Sequence, residues 1–191
     1  MPRPLAQPPT PAGGFLLVSA AVIILVTDER AQMELLSSVF TDGGWIPRRY
    51  TAEGENLSPP LHWQGAPVGT QVYSLILDDP DAPAGLWIHW VLYNIPASVT
   101  ALPEGVERHD QLANGARQGR CWGVDHFSRH GYQGPQPPPG PPHRYCFQLD
   151  ALDAPLALPP GATAAVVRQA LPPHRLAQAE LIGRVQHHSG R

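Results

Sequence analysis

Short apolar segments with alternating side chains recur along this chain, and turn-forming residues separate them. Residues 71–77 (QVYSLIL) and 87–94 (WIHWVLYN) contain β-branched and aromatic residues, and residues 144–149 and 179–185 follow the same period of two. In 87–94 apolar residues occupy both faces, which is typical of a central strand covered from both sides. These four segments are predicted to be strands.

Helix signals are fewer. A helix is predicted over Ala164–Leu171, because Thr163 can cap it and Pro172-Pro173 end it. The 24 prolines and 18 glycines mark many turns, and the dense run 134–142 is predicted to be an ordered loop because a strand follows it at once. The fold class is therefore mainly β, an antiparallel β-sandwich with one or two short peripheral helices.

The composition argues against a nucleic-acid partner. The net charge is −3, and the 13 basic residues are all arginine, with no basic stripe along any element. The two cysteines, Cys121 and Cys146, define neither a disulfide framework nor a metal cluster. They are expected to be free and partly buried, with a bridge between them as the alternative in an oxidising compartment.

Residues 1–32 are expected to form an N-terminal extension, and residues 33–188 a single domain. The apolar run 15–26 is shorter than the ~20 residues that a membrane-spanning helix needs, so no stable membrane insertion is expected. Two interpretations stay open. Either Met33 is the working start and the protein is cytoplasmic, which is favoured, or 15–26 is a signal-peptide core and the protein is periplasmic or secreted.

The first candidate site residues are two aspartates flanked by prolines. Asp79 and Asp81 lie in the sequence DPDAP, where the prolines hold the loop extended after a predicted strand. His89 follows on the next strand, and strict alternation places it on one face with Val91 and Tyr93. A strand histidine is by default a core residue bonded to a carbonyl, but the adjacent acidic loop favours a functional role.

A second cluster, His143-Arg144-Tyr145, opens the strand after the proline-rich loop. Two close carboxylates need a histidine or arginine nearby. Imidazole, tyrosine hydroxyl and loop amides together are donors suited to an anion such as phosphate. Arg144 is expected to pair with an aspartate, because its strand parity is opposite to that of Tyr145.

Two enzymatic alternatives are weaker. Asp79, Asp81, His89 and His143 could supply oxygens and nitrogens to zinc or iron, but no metal-ligand spacing supports this. Neither a G-x-S-x-G elbow nor a Cys-His signature indicates a hydrolase. No cofactor is predicted.

Several linked motifs, in order, resemble the phosphatidylethanolamine-binding protein family, and look most like its bacterial Raf kinase inhibitor-like branch. The resemblance runs from about Met33 to Val185. It rests on residues 53–63 (EGENLSPPLHW), 79–83 (DPDAP), 87–90 (WIHW), 131–145 (GYQGPQPPPGPPHRY) and 174–183 (HRLAQAELIG).

The resemblance implies a Greek-key antiparallel β-fold with a small pocket for phosphate, acetate or a phosphorylethanolamine head group. It implies a non-enzymatic protein whose relatives also inhibit kinases or proteases by association. Two departures from the family pattern stand out. The segment 119–130 reads irregularly, with Ser128 where a glycine is expected, and the loop carries Gln136 and Pro139 where small and basic residues are common, which bears on ligand preference. The pocket that it implies is lined by Asp79, Asp81, Trp87, His89, Gly134, Pro138, His143 and Tyr145.

We therefore expect recognition of a small phosphorylated or carboxylated anion without bond breaking. In this hypothesis His89 and His143 donate hydrogen bonds, Tyr145 adds a hydroxyl, loop amides complete the cradle, and the aspartates orient the imidazoles. The main alternative is an inhibitor of a kinase or protease that acts through its protein partner, and a metal-assisted hydrolase is the lesser one.

Overall fold

The computed structural model of the protein describes residues 32–123 and 129–187. The apolar run 15–26, Ser128 and the predicted C-terminal boundary of the domain at residue 188 lie outside these residues. The helix is α1 (Ala164–Ala170), and Arg48–Tyr50 form a 3-10 turn. The strands are β1 (Glu34–Ser37), β2 (Gly44–Trp45), β3 (Leu61–Gln64), β4 (Val72–Asp79), β5 (Trp87–Pro96), β6 (Ala101–Leu102), β7 (Arg117–Gln118), β8 (Arg120–Cys121), β9 (Arg129–His130), β10 (His143–Leu152) and β11 (Arg175–Val185).

Two sheets face each other across the main core. The larger sheet has the strand order β2-β11-β10-β4-β5-β7, and the smaller one has β1-β3-β6. β10 returns to pair antiparallel with β4, so that it lies between β4 and β11, as in a Greek-key connection. The predicted mainly β fold is confirmed. One edge pair departs from an antiparallel sheet, because β2 runs parallel to β11.

The four predicted strands are confirmed, and each is longer in the structure than its apolar core suggests. β4 is buried along its whole length because it lies between β5 and β10 with apolar cores on both sides. Leu75 and Leu77 pack into the main core, and Ile76 into a second core against α1. This burial fixes the C-terminal end of β4, where Asp79 lies.

A bulge in β5 changes the direction of one predicted site residue. The register between β4 and β5 shifts by one residue here, which leaves His89 as the extra residue. Ile88 therefore shares the second core with Val91 and Tyr93. The His89 ring instead lies 5.2 Å from the ring of Tyr145, on the side of the main core. Strict alternation, which placed His89 with Val91 and Tyr93, was wrong for this reason.

The predicted helix is also confirmed, and it ends one residue earlier than expected. The Thr163 hydroxyl accepts a hydrogen bond from the Val166 amide at 3.4 Å, so Thr163 caps α1. Ala164, Val167 and Leu171 are buried against the sheet. In the part of the chain that the structure describes, no helix has the length and apolarity to cross a membrane.

Candidate functional site

Six of the eight predicted site residues meet at one end of the larger sheet, where β4 ends and β5 and β10 begin. They line a cavity of about 290 Å³. A hollow of about 590 Å³ next to β1 and β11 shares no lining residue with it, and we place the site in the smaller cavity because the buried titratable groups converge there. The cavity is lined by Asp79, Ala82, Pro83, Ala84, Trp87, His89, Trp122, Gln136, Pro137, Pro138, His143 and Tyr145.

A buried imidazole–carboxylate pair forms one wall. Asp79 is the last residue of β4 and His143 the first of β10, and the antiparallel register brings these ends together. His143 Nδ1 lies 2.8 Å from Asp79 Oδ2, and both side chains are less than a tenth exposed. The other carboxylate oxygen, Oδ1, accepts a hydrogen bond from the Asp81 amide at 2.8 Å. Asp79 thus orients the His143 ring, as expected.

His89 is held differently, by backbone rather than by an aspartate. Its Nδ1 lies 2.7 Å from the Gln133 carbonyl oxygen, and the Gln133 amide donates back to the His89 carbonyl at 2.9 Å. Burial lowers the pKa of His89 from 6.5 to about 4, against smaller opposing effects of the Gln133 carbonyl and the Asp79 charge. The imidazole is therefore neutral at pH 7. The expectation that an aspartate orients both imidazoles was correct for His143 alone.

The Tyr145 hydroxyl is a buried polar group without a hydrogen-bond partner among the described residues. Burial, and secondarily the neighbouring Asp79 carboxylate, raise the pKa of Tyr145, so the phenol stays protonated. The Asp79 carboxylate and the Gln136 backbone are close enough to the hydroxyl to affect its pKa, but neither meets the distance and angle of a hydrogen bond with it. Because buried polar atoms are nearly always paired, this hydroxyl points to a ligand.

Two tryptophans form the apolar wall, and only Trp87 was predicted. The rings of Trp87 and Trp122 meet edge to face with centroids 5.8 Å apart, and Trp122 also contacts His89 at 5.5 Å. Arg129 lies over the Trp122 ring at 4.9 Å. Trp122 has a φ of 77°, a left-handed conformation that is unusual for a bulky residue. The sequence around it, residues 119–130, has no alternation of apolar and polar residues that could identify it.

Asp81 does not line the cavity, contrary to the prediction. Its carboxylate accepts hydrogen bonds from the Arg144 guanidinium at 2.9 and 2.7 Å and from the Arg144 amide at 2.9 Å. These hydrogen bonds lower the pKa of Asp81 to about 2. The predicted pairing of Arg144 with an aspartate is confirmed, and the pair joins the DPDAP loop to the start of β10.

Gly134 was also predicted to line the cavity and does not. Its amide donates to Asn56 Oδ1 at 2.7 Å. A Cβ at this position would lie 2.8 Å from backbone atoms of residues 50–52, so the close approach excludes a side chain. Pro138, by contrast, lines the cavity as predicted. Gln136 and Pro137 line it as well, although they were not predicted to do so.

Metal ligation was the other chemistry considered for these residues. Across residues 32–123 and 129–187, no three histidine, cysteine, aspartate or glutamate side chains converge as a metal site would require. Cys121 and Cys146 are both buried free thiols, as expected, and neither lines the cavity.

Comparison with known proteins finds relatives that match about four fifths of this chain over nearly their own full length. A family model described as phosphatidylethanolamine-binding protein matches residues 36–186. A UPF0098 protein of Methanothermobacter thermautotrophicus is 47% identical over 151 residues, which are 79% of this chain and 97% of that protein. The UPF0098 protein YbhB of Escherichia coli is 36% identical over 157 residues, 78% of this chain and 97% of the relative.

Two crystal structures share the fold. A putative phosphatidylethanolamine-binding protein homologue from Chlamydia trachomatis has a TM-score of 0.73 and 36% identity, covering 82% of this chain and 99% of its own. Escherichia coli YbcL, described as a new member of the mammalian family, has a TM-score of 0.74 and 33% identity with the same coverage. This chain belongs to the phosphatidylethanolamine-binding protein family.

Proposed function

We propose that this protein binds a small phosphorylated or carboxylated ligand, such as phosphate or phosphorylethanolamine, in the cavity at the end of β4, β5 and β10. Membership of the family supports a binding protein rather than an enzyme. The observation that carries the proposal is the Tyr145 hydroxyl, which is buried in the cavity wall without a partner among the described residues.

The surrounding groups suit this ligand class. The Tyr145 hydroxyl donates to a ligand oxygen, while His89 and His143 are held in fixed orientations by Gln133 and Asp79. The lining residues that the structure describes include no serine, threonine, cysteine or lysine that an adjacent base could activate as a nucleophile. The proposed event is therefore recognition without bond breaking.

The size of the cavity limits the ligand. Sites for small molecules commonly enclose ~300–1,000 Å³, and this cavity of about 290 Å³ lies at the lower end of that range. A phosphate or a head group fits such a volume, whereas a lipid acyl chain needs further space outside it.

Calorimetry with Tyr145→Phe tests the proposal. Wild-type protein should bind phosphate and phosphorylethanolamine, and the variant should bind them roughly tenfold more weakly because one hydrogen bond to a charged group is lost. Tyr73→Phe is the matched control, since Tyr73 is a buried tyrosine of β4 outside the cavity. Absence of binding to the wild type, or equal loss in both variants, would contradict the proposal.

The second candidate is modulation of a kinase or protease through a protein interface around the cavity mouth. The exposed apolar side chains of Pro83, Ala84 and Leu86, the last 43% exposed, favour it. In that case His89→Ala abolishes phosphate binding while inhibition of the partner stays intact. Loss of both activities in this variant would show that inhibition depends on the filled cavity.

A further inference from the structure

The cavity has an unusual charge for an anion site. None of the lining residues that the structure describes is an arginine, and the chain contains no lysine. Asp79 is the acidic residue among them. An oxyanion in this cavity therefore meets a carboxyl group rather than the cationic cluster that usually holds a dianion.

The two imidazoles present acceptors to the cavity when they are neutral. Nδ1 of His89 faces the Gln133 carbonyl oxygen at 2.7 Å, and Nδ1 of His143 faces the Asp79 carboxylate at 2.8 Å. Neither partner can donate, so each Nδ1 carries the proton. A neutral imidazole has a single N–H, which leaves Nε2 of both rings as a lone-pair acceptor.

Neighbouring charges do not reverse this arrangement at His89. On the side of β4 this ring lies near Asp79, whose charge raises the pKa of His89 by less than burial lowers it. The ring of Tyr145 on β10 faces His89 at 5.2 Å, and its phenol is neutral. Beside His143, the opposite charges of Asp81 and Arg144 offset each other in an ion pair. Arg129 lies over the Trp122 ring and is not a lining residue.

The other side chains with donor groups among the described lining residues are neutral. They are the Tyr145 hydroxyl, the Gln136 side-chain amide and the indole N–H groups of the two tryptophans. Three lining residues, Pro83, Pro137 and Pro138, have no backbone N–H at all. The loops therefore offer fewer backbone N–H groups to an anion than the sequence led us to expect.

We propose that the cavity selects oxyanions that carry an acidic proton, namely the monoanions of phosphate and of phosphomonoesters, over sulfate and phosphodiesters. The ligand's P–OH donates to Nε2 of His89, and its other oxygens accept from the neutral donors. A free phosphomonoester satisfies both requirements, whereas the diester of an intact phospholipid has no such proton. This inference rests on the proposed function, since it describes the ligand of the same cavity.

Calorimetry at pH 7.5 with four probes tests the inference on the full-length protein. Phosphate and methyl phosphate should bind, with uptake of about one proton per methyl phosphate, because the second pKa of a phosphomonoester is near 6. The proton count comes from measurements in two buffers of different ionisation enthalpy. Sulfate matches phosphate in shape but carries no acidic proton at this pH, and dimethyl phosphate carries none either. Both should bind at least about tenfold more weakly, because the imidazole acceptor loses its partner.

The outcomes separate this inference from the proposed function. If sulfate and dimethyl phosphate bind as tightly as phosphate and methyl phosphate, without proton uptake, the selection is refuted while the binding function stands. If none of the four binds, both proposals fail. A His89→Gln variant adds an internal check, because its amide can donate where the neutral imidazole accepts. The ratio of phosphate to sulfate affinity should fall in this variant and stay unchanged in the exposed control His62→Gln.

Discussion

The buried, neutral His89 predicts a specific dependence of stability on pH. In the unfolded chain its pKa is near 6.5, and in the folded protein burial lowers it to about 4. One pKa unit corresponds to about 1.36 kcal/mol. The two states therefore differ by about 3 kcal/mol in the cost of protonating this one side chain.

The sign of the effect follows from proton binding. Between pH 6.5 and 4 the unfolded chain binds a proton at His89 and the folded protein does not, so protons favour unfolding. The His89 contribution to stability is fully present above pH 6.5 and is lost as the pH falls to about 4. Replacing His89 by glutamine removes this contribution, because an amide does not titrate.

Urea unfolding at several pH values between 7.5 and 4 measures the effect. The wild type should lose about 3 kcal/mol more free energy of unfolding over this range than His89→Gln does. Titrating groups elsewhere affect both proteins alike, and His62→Gln, at an exposed position of β3, should follow the wild type. Equal pH dependence in wild type and His89→Gln would refute the argument that burial keeps this imidazole neutral.

Three further changes test the structural supports of the site. Asp81→Asn should lower thermal stability at pH 7, and the difference from wild type should shrink as the pH falls from 3.8 towards 2, since the ion pair holds the pKa of Asp81 at about 2; a constant difference would contradict this. Gly134→Ala should cost about 1–3 kcal/mol in urea unfolding, because its Cβ meets the backbone of residues 50–52; an unchanged midpoint would be inconsistent with that close approach. Arg168→Met should cost about 3 kcal/mol by leaving the buried Asp78 unpaired, and adding Asp78→Asn should recover part of this loss; no recovery would argue against an ion-pair origin.

Much of the site was predictable because strand ends are set by strong local signals. The prolines of the DPDAP loop end β4, and the proline-rich run ends where β10 begins, so the sequence places Asp79 and His143 at neighbouring strand ends. Arg144 and Tyr145 are neighbours on β10, so their side chains point to opposite faces of the sheet. This alternation alone predicted that Arg144 pairs with an aspartate and that Tyr145 lies on the other face, where the main core is. These conclusions depend on a period of two that stays unbroken from residue 143 to 149.

The remainder depends on tertiary contacts without a local signature. The bulge at His89 arises from the pairing of β5 with β4, and a sequence of alternating apolar residues does not mark it. The carbonyl that fixes His89 belongs to Gln133, 44 residues away. Trp122 reaches the cavity from an irregular segment through a left-handed backbone conformation, which no propensity of tryptophan predicts.

A crystal structure of the protein with methyl phosphate bound is the most direct test of the central claim, that one cavity formed by Asp79, His89, His143 and Tyr145 binds the ligand. We expect a phosphate oxygen within hydrogen-bond distance of Tyr145 Oη and another near an imidazole Nε2. Phosphate bound elsewhere on the protein, with this cavity still filled only by solvent at saturating ligand, would contradict the account.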